Sequence, residues 1–289
     1  MLRILARAVL LAALSSAALW GQNADDRGWT GYTSLQGSIQ ADSSVLKWES
    51  SVGYNFNEHF GMDFGVPLYF SHVDSSSTTS SSSGVGLGDA YINLRAKWLN
   101  PKKLNYGTNI LIGAPTGNRD KGFSTGRMTV DWTNRVDRTF GRVTPFGELG
   151  FANTTGDTRA YTRSYTSLGF VTHMQGGASF ALTDRVSVGG SAFAILPSGD
   201  QKIYSKVVNK GKPAIGNGAH GRTFEQNYVT TGTSDIAKDH GLSTWLDFSP
   251  NKYFDVYAGF TRSTRFDLNT FSFGIGLNLG NVWKRSQLQ

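Results

Sequence analysis

The chain has 289 residues, no cysteine, and 28 Lys and Arg against 21 Asp and Glu, for a formal charge of +7. Without cysteine it has neither disulfide staples nor thiolate metal sites, so its stability must come from architecture. Its basic residues are dispersed, not clustered into the patch that a nucleic-acid surface requires, and nucleic acid is excluded as a partner.

The first predicted element is a leader. Arg3 and Arg7 precede an apolar run from Ala8 to Trp20 that ends in small residues. This is the pattern of a secretory signal peptide, expected over residues 1–21 and cut after Gly21 or after Ala18. The run is too short to span a bilayer, and no later segment approaches the roughly 18 uninterrupted apolar residues of a membrane helix. Losing two arginines lowers the charge by two, to +5. An exported, mildly basic chain is expected to meet outer-membrane lipid and lipopolysaccharide, whose phosphates are anionic.

From residue 22 onward no amphipathic helix of useful length is visible. Instead about twelve segments alternate with period two: 29–39, 45–56, 60–73, 87–98, 104–115, 127–137, 143–153, 166–181, 186–196, 236–248, 253–263 and 268–279. Soluble strands cluster near about five or six residues, whereas a tilted strand crossing an outer membrane needs about nine to eleven. The connections at 57–59, 99–103, 182–185 and 249–252 are short and carry Asn, Asp and Pro turn chemistry. They alternate with long ones at 74–86, 116–126, 154–165 and 197–235. Short periplasmic turns opposite long extracellular loops mark a bacterial transmembrane barrel.

Segment 87–98 shows which face is wet. Gly88, Ala90, Ile92, Leu94, Ala96 and Trp98 form one set; Asp89, Tyr91, Asn93, Arg95 and Lys97 form the other. Turning Arg95 or Lys97 to lipid would cost up to roughly 2–4 kcal/mol each near the midplane, so Ile92, Leu94 and Trp98 are expected to face lipid. Carried around the chain, this register places Lys47, Glu49, Asp89, Arg95, Lys97, Arg127, Asp131, Arg135, Glu148, His173 and Trp245 on the wall of the lumen. Asp63, Gln175, Asp239, Asp247 and Asp255 join them, with Tyr69, Tyr91, Phe146, Phe193 and Tyr257. Phe56, Phe60, Trp98, Phe248 and Phe254 fall beside short turns, and Trp48, Phe70 and Phe151 toward the long loops, giving two aromatic girdles. Twelve long strands with no helix to cover them would expose two unpaired edges, and lipid offers nothing to satisfy those groups. The expected fold is therefore all-β, a transmembrane antiparallel up-and-down β-barrel of about 12 strands, with residues 22–289 as a single domain. A soluble barrel with its faces reversed is the alternative, and strand length and loop alternation argue against it.

Other motifs have plain explanations. "GVGLGD" (84–89) lacks the Lys-Ser/Thr end of a phosphate-binding loop and no helix follows it. The histidines at 59, 72, 173, 220 and 240 lack the convergent spacing of a metal site. No cofactor and no metal are expected. "SHVDSS" places His72, Asp74 and Ser75 near a lipid-facing rim, where some barrels of this size carry a hydrolase pair. Residues three apart in an extended chain point to opposite faces, so no enzyme is expected. "SSSTTSSSS" is a polar tract that cannot order itself by burial. In 197–235, Lys202, Lys206, Lys210, Lys212 and Arg222 outnumber Asp200 and Glu225 by three. That segment either meets lipid phosphates or folds inward as a positive constriction, which would favour anions.

Five phrases resemble the outer-membrane barrels of the meta-pathway phenol-degradation transporter family: "FGMDFGVPLYF" (60–70), "GVGLGDAYINLRAKW" (84–98), "LIGAPTGNRDKGFSTGR" (111–127), "SFALTDRVSVGGSAFAILPSGDQ" (179–201) and "DHGLSTWLDFSPNKYFDVYAGFTRS" (239–263). The resemblance implies an outer-membrane barrel of about this size and, by the family's name, uptake of small aromatic compounds. "SFGIGLNL" (272–279) resembles the terminal-strand signal read by the barrel-assembly machinery, which it implies as a partner, although it ends on Leu279 and not on an aromatic. The expected function is an outer-membrane channel for passive diffusion of small solutes, aromatic or hydrophobic compounds included. The alternative is a non-transporting barrel that serves as a surface anchor or binding module, with a lipid hydrolase less favoured. Oligomeric state is open, since outward glycines such as Gly31 and Gly37 would let a second barrel approach.

Overall fold

Period-two alternation gives each strand two chemically distinct faces, and in the computed structural model the chain sorts them by closing on itself. The structure describes residues 27–40, 43–73, 82–100, 104–119, 123–155, 165–205, 229–232, 237–251, 253–266 and 268–279. The expected leader, Asp74 and Ser75, most of the 154–165 loop, and most of the 197–235 insertion lie outside them.

The strands are β1 (Gly28–Gln40), β2 (Ser43–Asn55), β3 (Phe60–Val73), β4 (Ser82–Leu87), β5 (Ala90–Trp98), β6 (Asn105–Ala114) and β7 (Thr129–Asp137). They continue as β8 (Val143–Thr155), β9 (Tyr165–Ala181), β10 (Val186–Ser205), β11 (Val229–Gly232), β12 (Asp239–Asn251), β13 (Phe254–Ser263) and β14 (Leu268–Asn278). Each pairs antiparallel with its neighbour, and β1 pairs with β14 from Tyr32↔Asn278 to Ile39↔Phe271, which closes the sheet. The two short strands extend longer ones: β4 pairs with the upper part of β3 and β5 with its lower part, while β11 continues the line of β12 against β10. The wall therefore has 12 staves and is the all-β, antiparallel, up-and-down barrel of outer-membrane type.

The short turns are built by side chains that satisfy the freed amides. Asn57 Oδ1 accepts from His59 N at 2.9 Å and Phe60 N at 2.8 Å. Thr183 Oγ1 accepts from Val186 N at 3.0 Å, and Asn251 Oδ1 from Tyr253 N at 2.8 Å. At this end Trp29, Tyr54, Phe56, Phe60, Trp98 and Tyr106 form a belt of ring contacts with centroids 5.5–5.9 Å apart. A second set, Trp132, Phe151 and Phe170, lies toward the long connections.

Orientation in β5 follows the cost argument. Ile92 and Leu94 are each 41% exposed and Trp98 40%, whereas Asn93 between them is 4% exposed. Polar atoms on the outer face pair with one another: the Trp48 indole donates to Thr33 Oγ1 at 3.0 Å and the Trp132 indole to Thr108 Oγ1 at 2.9 Å. His72 likewise faces outward, where its Nδ1 lies 2.8 Å from Ser83 Oγ.

Three departures from the expected pattern have local causes. The alternation expected through 87–98 breaks at Gly88: a Cβ there would meet the Tyr69 ring and Pro67, so Gly88 faces inward and not with Ile92. Pro67 has no N–H for the ladder, and between Leu68↔Leu87 and Gly65↔Tyr91 two residues of β3 stand opposite three. The extra residue is a bulge that reverses the parity of the strand. Second, β7 starts at Thr129, so Arg127 lies in the preceding turn and is exposed. Third, β10 continues to Ser205 through a bulge at Ser198/Lys202, so the 197–235 segment begins in sheet, and its residues 229–232 form β11.

Inward bulk is accommodated by inward glycine on the paired strand. A Cβ at Gly65 would fall on the Tyr91 ring, at Gly150 on His173, at Gly189 on Trp245 and at Gly274 on Tyr257. At Gly190, one residue along and facing out, the nearest atom would be Ser243 O at 3.7 Å. Gly189→Val is therefore expected to destabilise the barrel by about 1–3 kcal/mol through displacement of the indole, while Gly190→Val stays near wild type. Urea unfolding in detergent compares the two, and equal midpoints would contradict the inward packing.

Candidate functional site

The candidate site is the lumen, whose wall is the inward residue of every strand. Two clusters of ion pairs face it. On β2, β3 and β5, Lys47 Nζ lies 2.9 Å from Glu49 Oε2, and Tyr91 Oη donates to Glu49 Oε1. Beside them Arg95 Nη2 donates to Asp63 Oδ1 at 2.9 Å and to Asn55 Oδ1 at 3.2 Å. On β7, β8 and β9, Arg135 reaches Asp137 at 3.6 Å and Glu148 at 3.7 Å, and its guanidinium carbon sits 4.1 Å from the centroid of Phe146. His173 Nε2 lies 3.0 Å from Asp131 Oδ1, which also accepts from Thr133 Oγ1 at 2.8 Å.

These pairs are not sealed in a dry core. Side-chain exposure is 9% for Asp63 and 11% for Arg95, rising to 24% for both Asp131 and His173. Fully buried polar side chains occur elsewhere: Gln201 is 0% exposed, accepts from Ser167 Oγ at 2.8 Å and donates to Ser198 O at 3.1 Å across the β10 bulge. The β7 to β9 side of the wall is thus the wetter one.

Two aromatic contacts narrow the lumen. Phe146 and Trp245 approach with centroids 6.1 Å apart, although β9 and β10 separate their strands. Toward the long connections, Phe123 stacks on Tyr69 with centroids 5.5 Å apart and planes 5° from parallel, and both pack with Val45. Phe123 belongs to the 116–126 connection, which was expected to lie wholly outside. The bulge between β4 and β5 brings it in. Asp89 Oδ1 accepts from Gly117 N at 3.0 Å, Ala90 N donates to Thr116 Oγ1 at 2.8 Å, and Leu87 O accepts from Asn118 N at 2.9 Å. Gly117 fits because a Cβ there would meet the Gly88 backbone at 2.6 Å, and Gly86 because its Cβ would meet Phe123 at 2.7 Å.

Of the residues expected on the wall, Lys47, Glu49, Arg95, Lys97, Asp131, Arg135, Glu148, His173 and Trp245 have the inward parity of their strands and are buried or half-buried. Asp89 also turns inward, with its carboxylate holding the Phe123 connection. Arg127 stands apart, exposed in the turn before β7. Sequence reasoning missed Phe123, whose only signal is a lone aromatic in a polar connection, and Asp137, which the β7 parity would have supplied. Among the described residues no group of three or more His, Asp or Glu is placed to hold a metal ion.

The double-mutant comparison of Arg95 and Asp63 tests this wall. Arg95→Met alone leaves a partly buried carboxylate without its bidentate partner and is expected to cost about 2–3 kcal/mol, while adding Asp63→Asn recovers most of that loss. Unfolding midpoints of the three proteins measure it, and equal losses in the single and double variants would contradict the coupling.

A family model described as "Putative MetA-pathway of phenol degradation" matches residues 23–195. No curated protein matches the sequence. Among solved structures, an outer membrane channel from Pseudomonas putida F1 is 12% identical with a TM-score of 0.55, covering 89% of this chain and 98% of that one. The KdgM porin in complex with disordered oligogalacturonate is 9% identical with a TM-score of 0.48, covering 85% and 98%. The transport unit of the autotransporter AIDA-I from Escherichia coli is 10% identical with a TM-score of 0.48, covering 92% of each. At these identities the likeness is one of fold.

Proposed function

The chain belongs to the family described by that model, and from that premise we propose that it is an outer-membrane channel through which small solutes, aromatic compounds among them, diffuse passively. The observation that carries this reading is the wet wall: ionisable side chains on the inner face of a closed barrel keep contact with solvent, up to 24% of their surface at Asp131 and His173. Charge inside a sealed barrel would be neutralised or shielded completely. A hydrated route through the middle removes that demand.

A solute entering from the long-loop end would meet the Phe123 and Tyr69 stack, then the belt of ion pairs, where Phe146 lies against Arg135 and beside Trp245. The aromatic rings present flat apolar faces on which a small ring can slide, and the charged belt keeps the water column continuous. No step along this route needs a bond made or broken. On this reading the short turns face the periplasm and the basic side chains on the turns at both ends, such as Arg142 and Arg265, sit at the level of lipid phosphates.

Purified protein in a planar lipid bilayer is expected to give discrete conductance steps. Phe123→Ala, which removes the ring at the narrow long-loop end, is expected to raise the unit conductance by roughly half. Silence across salts and voltages would overturn the channel reading, and unchanged steps in the variant would remove Phe123 from the route.

A further inference from the structure

We propose that the outer wall of β12, β13 and β14, at the end of the long connections, is a binding site for lipid A, the phosphorylated glycolipid of the outer leaflet, with Arg262 as its principal anion-binding group. The inference rests on the outer-membrane placement given above, with the long connections outermost, and adds a ligand and a site to it. It follows from an arginine on the lipid-facing side of a strand. In β13 the inward set includes Tyr257, Thr261 and Ser263, all buried, so Phe260 and Arg262 belong to the outward set. Arg262 shares one cross-strand row with Leu242, which is open to lipid, and with Asn269. Its Nη1 donates to Asn269 Oδ1 at 2.8 Å along that row.

The rows on either side fix the depth of this arginine. Toward the membrane centre the next outward row is Thr244, Phe260 and Phe271, with the two rings 5.2 Å apart and Phe271 exposed. Leu246, Ala258 and Phe273 follow below it. Away from the centre come His240 and Thr264, whose N donates to His240 O at 2.9 Å, and then the exposed Lys238 and Arg265. Phe254, beside a short turn, and Arg262 stand at the two ends of the outward set of β13. That separation is about 27 Å along a strand and about 20 Å along the membrane normal at the usual tilt, near the upper edge of an apolar band roughly 25 Å tall. A guanidinium is costly against hydrocarbon at the midplane and tolerated at this boundary, where phosphate oxygens accept from it. Its five N–H donors form a fixed fork, so an arginine that bonds side chains of its own wall still presents a pair to phosphate. A phosphomonoester carries a charge of about −1.5 to −2 at pH 7, more than a phospholipid phosphodiester, and Lys238 and Arg265 above Arg262 suit the larger charge. Leu242, Phe260 and Phe271 offer acyl chains an apolar surface directly beneath. Phosphate above and acyl chain below is the order of groups in lipid A, and the rows repeat it.

The test is retention of lipid A by the purified full-length protein in detergent, read by native mass spectrometry against dephosphorylated lipid A and phosphatidylglycerol. Wild type is expected to retain lipid A in preference to both, and equimolar inorganic phosphate is expected not to displace it. Arg262→Gln is expected to weaken retention at least about tenfold, whereas Arg262→Lys, which keeps the charge, stays within about threefold of wild type. Arg142→Gln, at the short-turn end, is expected to leave retention unchanged. Equal retention of dephosphorylated lipid A or of phosphatidylglycerol, or displacement by inorganic phosphate, would overturn the inference. Retention unmoved in Arg262→Gln, or lowered as much in Arg142→Gln, would overturn the assignment to this wall. Failure of the protein to fractionate with the outer membrane would instead overturn the placement on which the inference rests.

Discussion

The backbone hydrogen bond between the first strand and the last is the interaction on which everything else in this protein depends. Lipid supplies no donor or acceptor, so a sheet can cross it only when no edge remains. The antiparallel register from Tyr32↔Asn278 to Ile39↔Phe271 removes the two edges that β1 and β14 would otherwise present. Closure then converts a property of each strand into a property of the molecule. Once the sheet is a cylinder, every odd or even residue of a strand shares one solvent with its counterparts on all other strands. Leu94 and Arg95, adjacent in sequence, end in different phases.

The same closure creates a problem of space, because inward side chains converge. Glycine solves it locally. Where Tyr91, His173, Trp245 or Tyr257 lies across its neighbour, the residue beneath is Gly65, Gly150, Gly189 or Gly274. These glycines serve by their lack of a Cβ more than by any unusual backbone angle. Proline has a comparable local effect with a longer reach. Pro67 cannot donate to the ladder, β4 and β5 part opposite it, and Ala90 N, Leu87 O and the Asp89 carboxylate beside the break become available to Thr116, Asn118 and Gly117. That attachment turns Phe123 onto Tyr69. A missing N–H in one strand is thus connected, in four steps, to the aromatic contact that narrows one end of the lumen.

Electrostatics is sorted by the same geometry. A formal charge of +7 describes the chain but neither of its surfaces, because turns and wall draw on different parts of the composition. Arg138 and Arg185 lie at turns, while Arg95 and Arg135 stay on the inner wall and hold carboxylates there. Carboxylates, shorter and able to accept from hydroxyls and backbone amides, populate the interior beside Ser187, Ser249 and Ser263. The polar atoms left on the outer face are few and satisfy one another, as Trp48 does with Thr33.

The alternation of apolar and polar residues, the length of the segments and the spacing of turn residues determined by themselves that this is a barrel, how many staves it has, and which face of β5 is wet. Those are period-two properties, set within a single strand and its adjoining turn, so a linear reading reaches them. What only the tertiary structure decided are the relations between strands distant along the chain. The reversal of parity at Gly88 depends on Pro67 across the ladder, not on any residue of its own segment. The position of Arg127 depends on where β7 begins, and that is fixed by pairing with β6 and β8. Phe123 reads as one more residue of an exposed connection until Asp89, Gly86 and Tyr69 are brought beside it, and the contact of Phe146 with Trp245 spans two intervening strands. Side-chain burial across a closed wall is a sum over neighbours that a linear pattern does not encode.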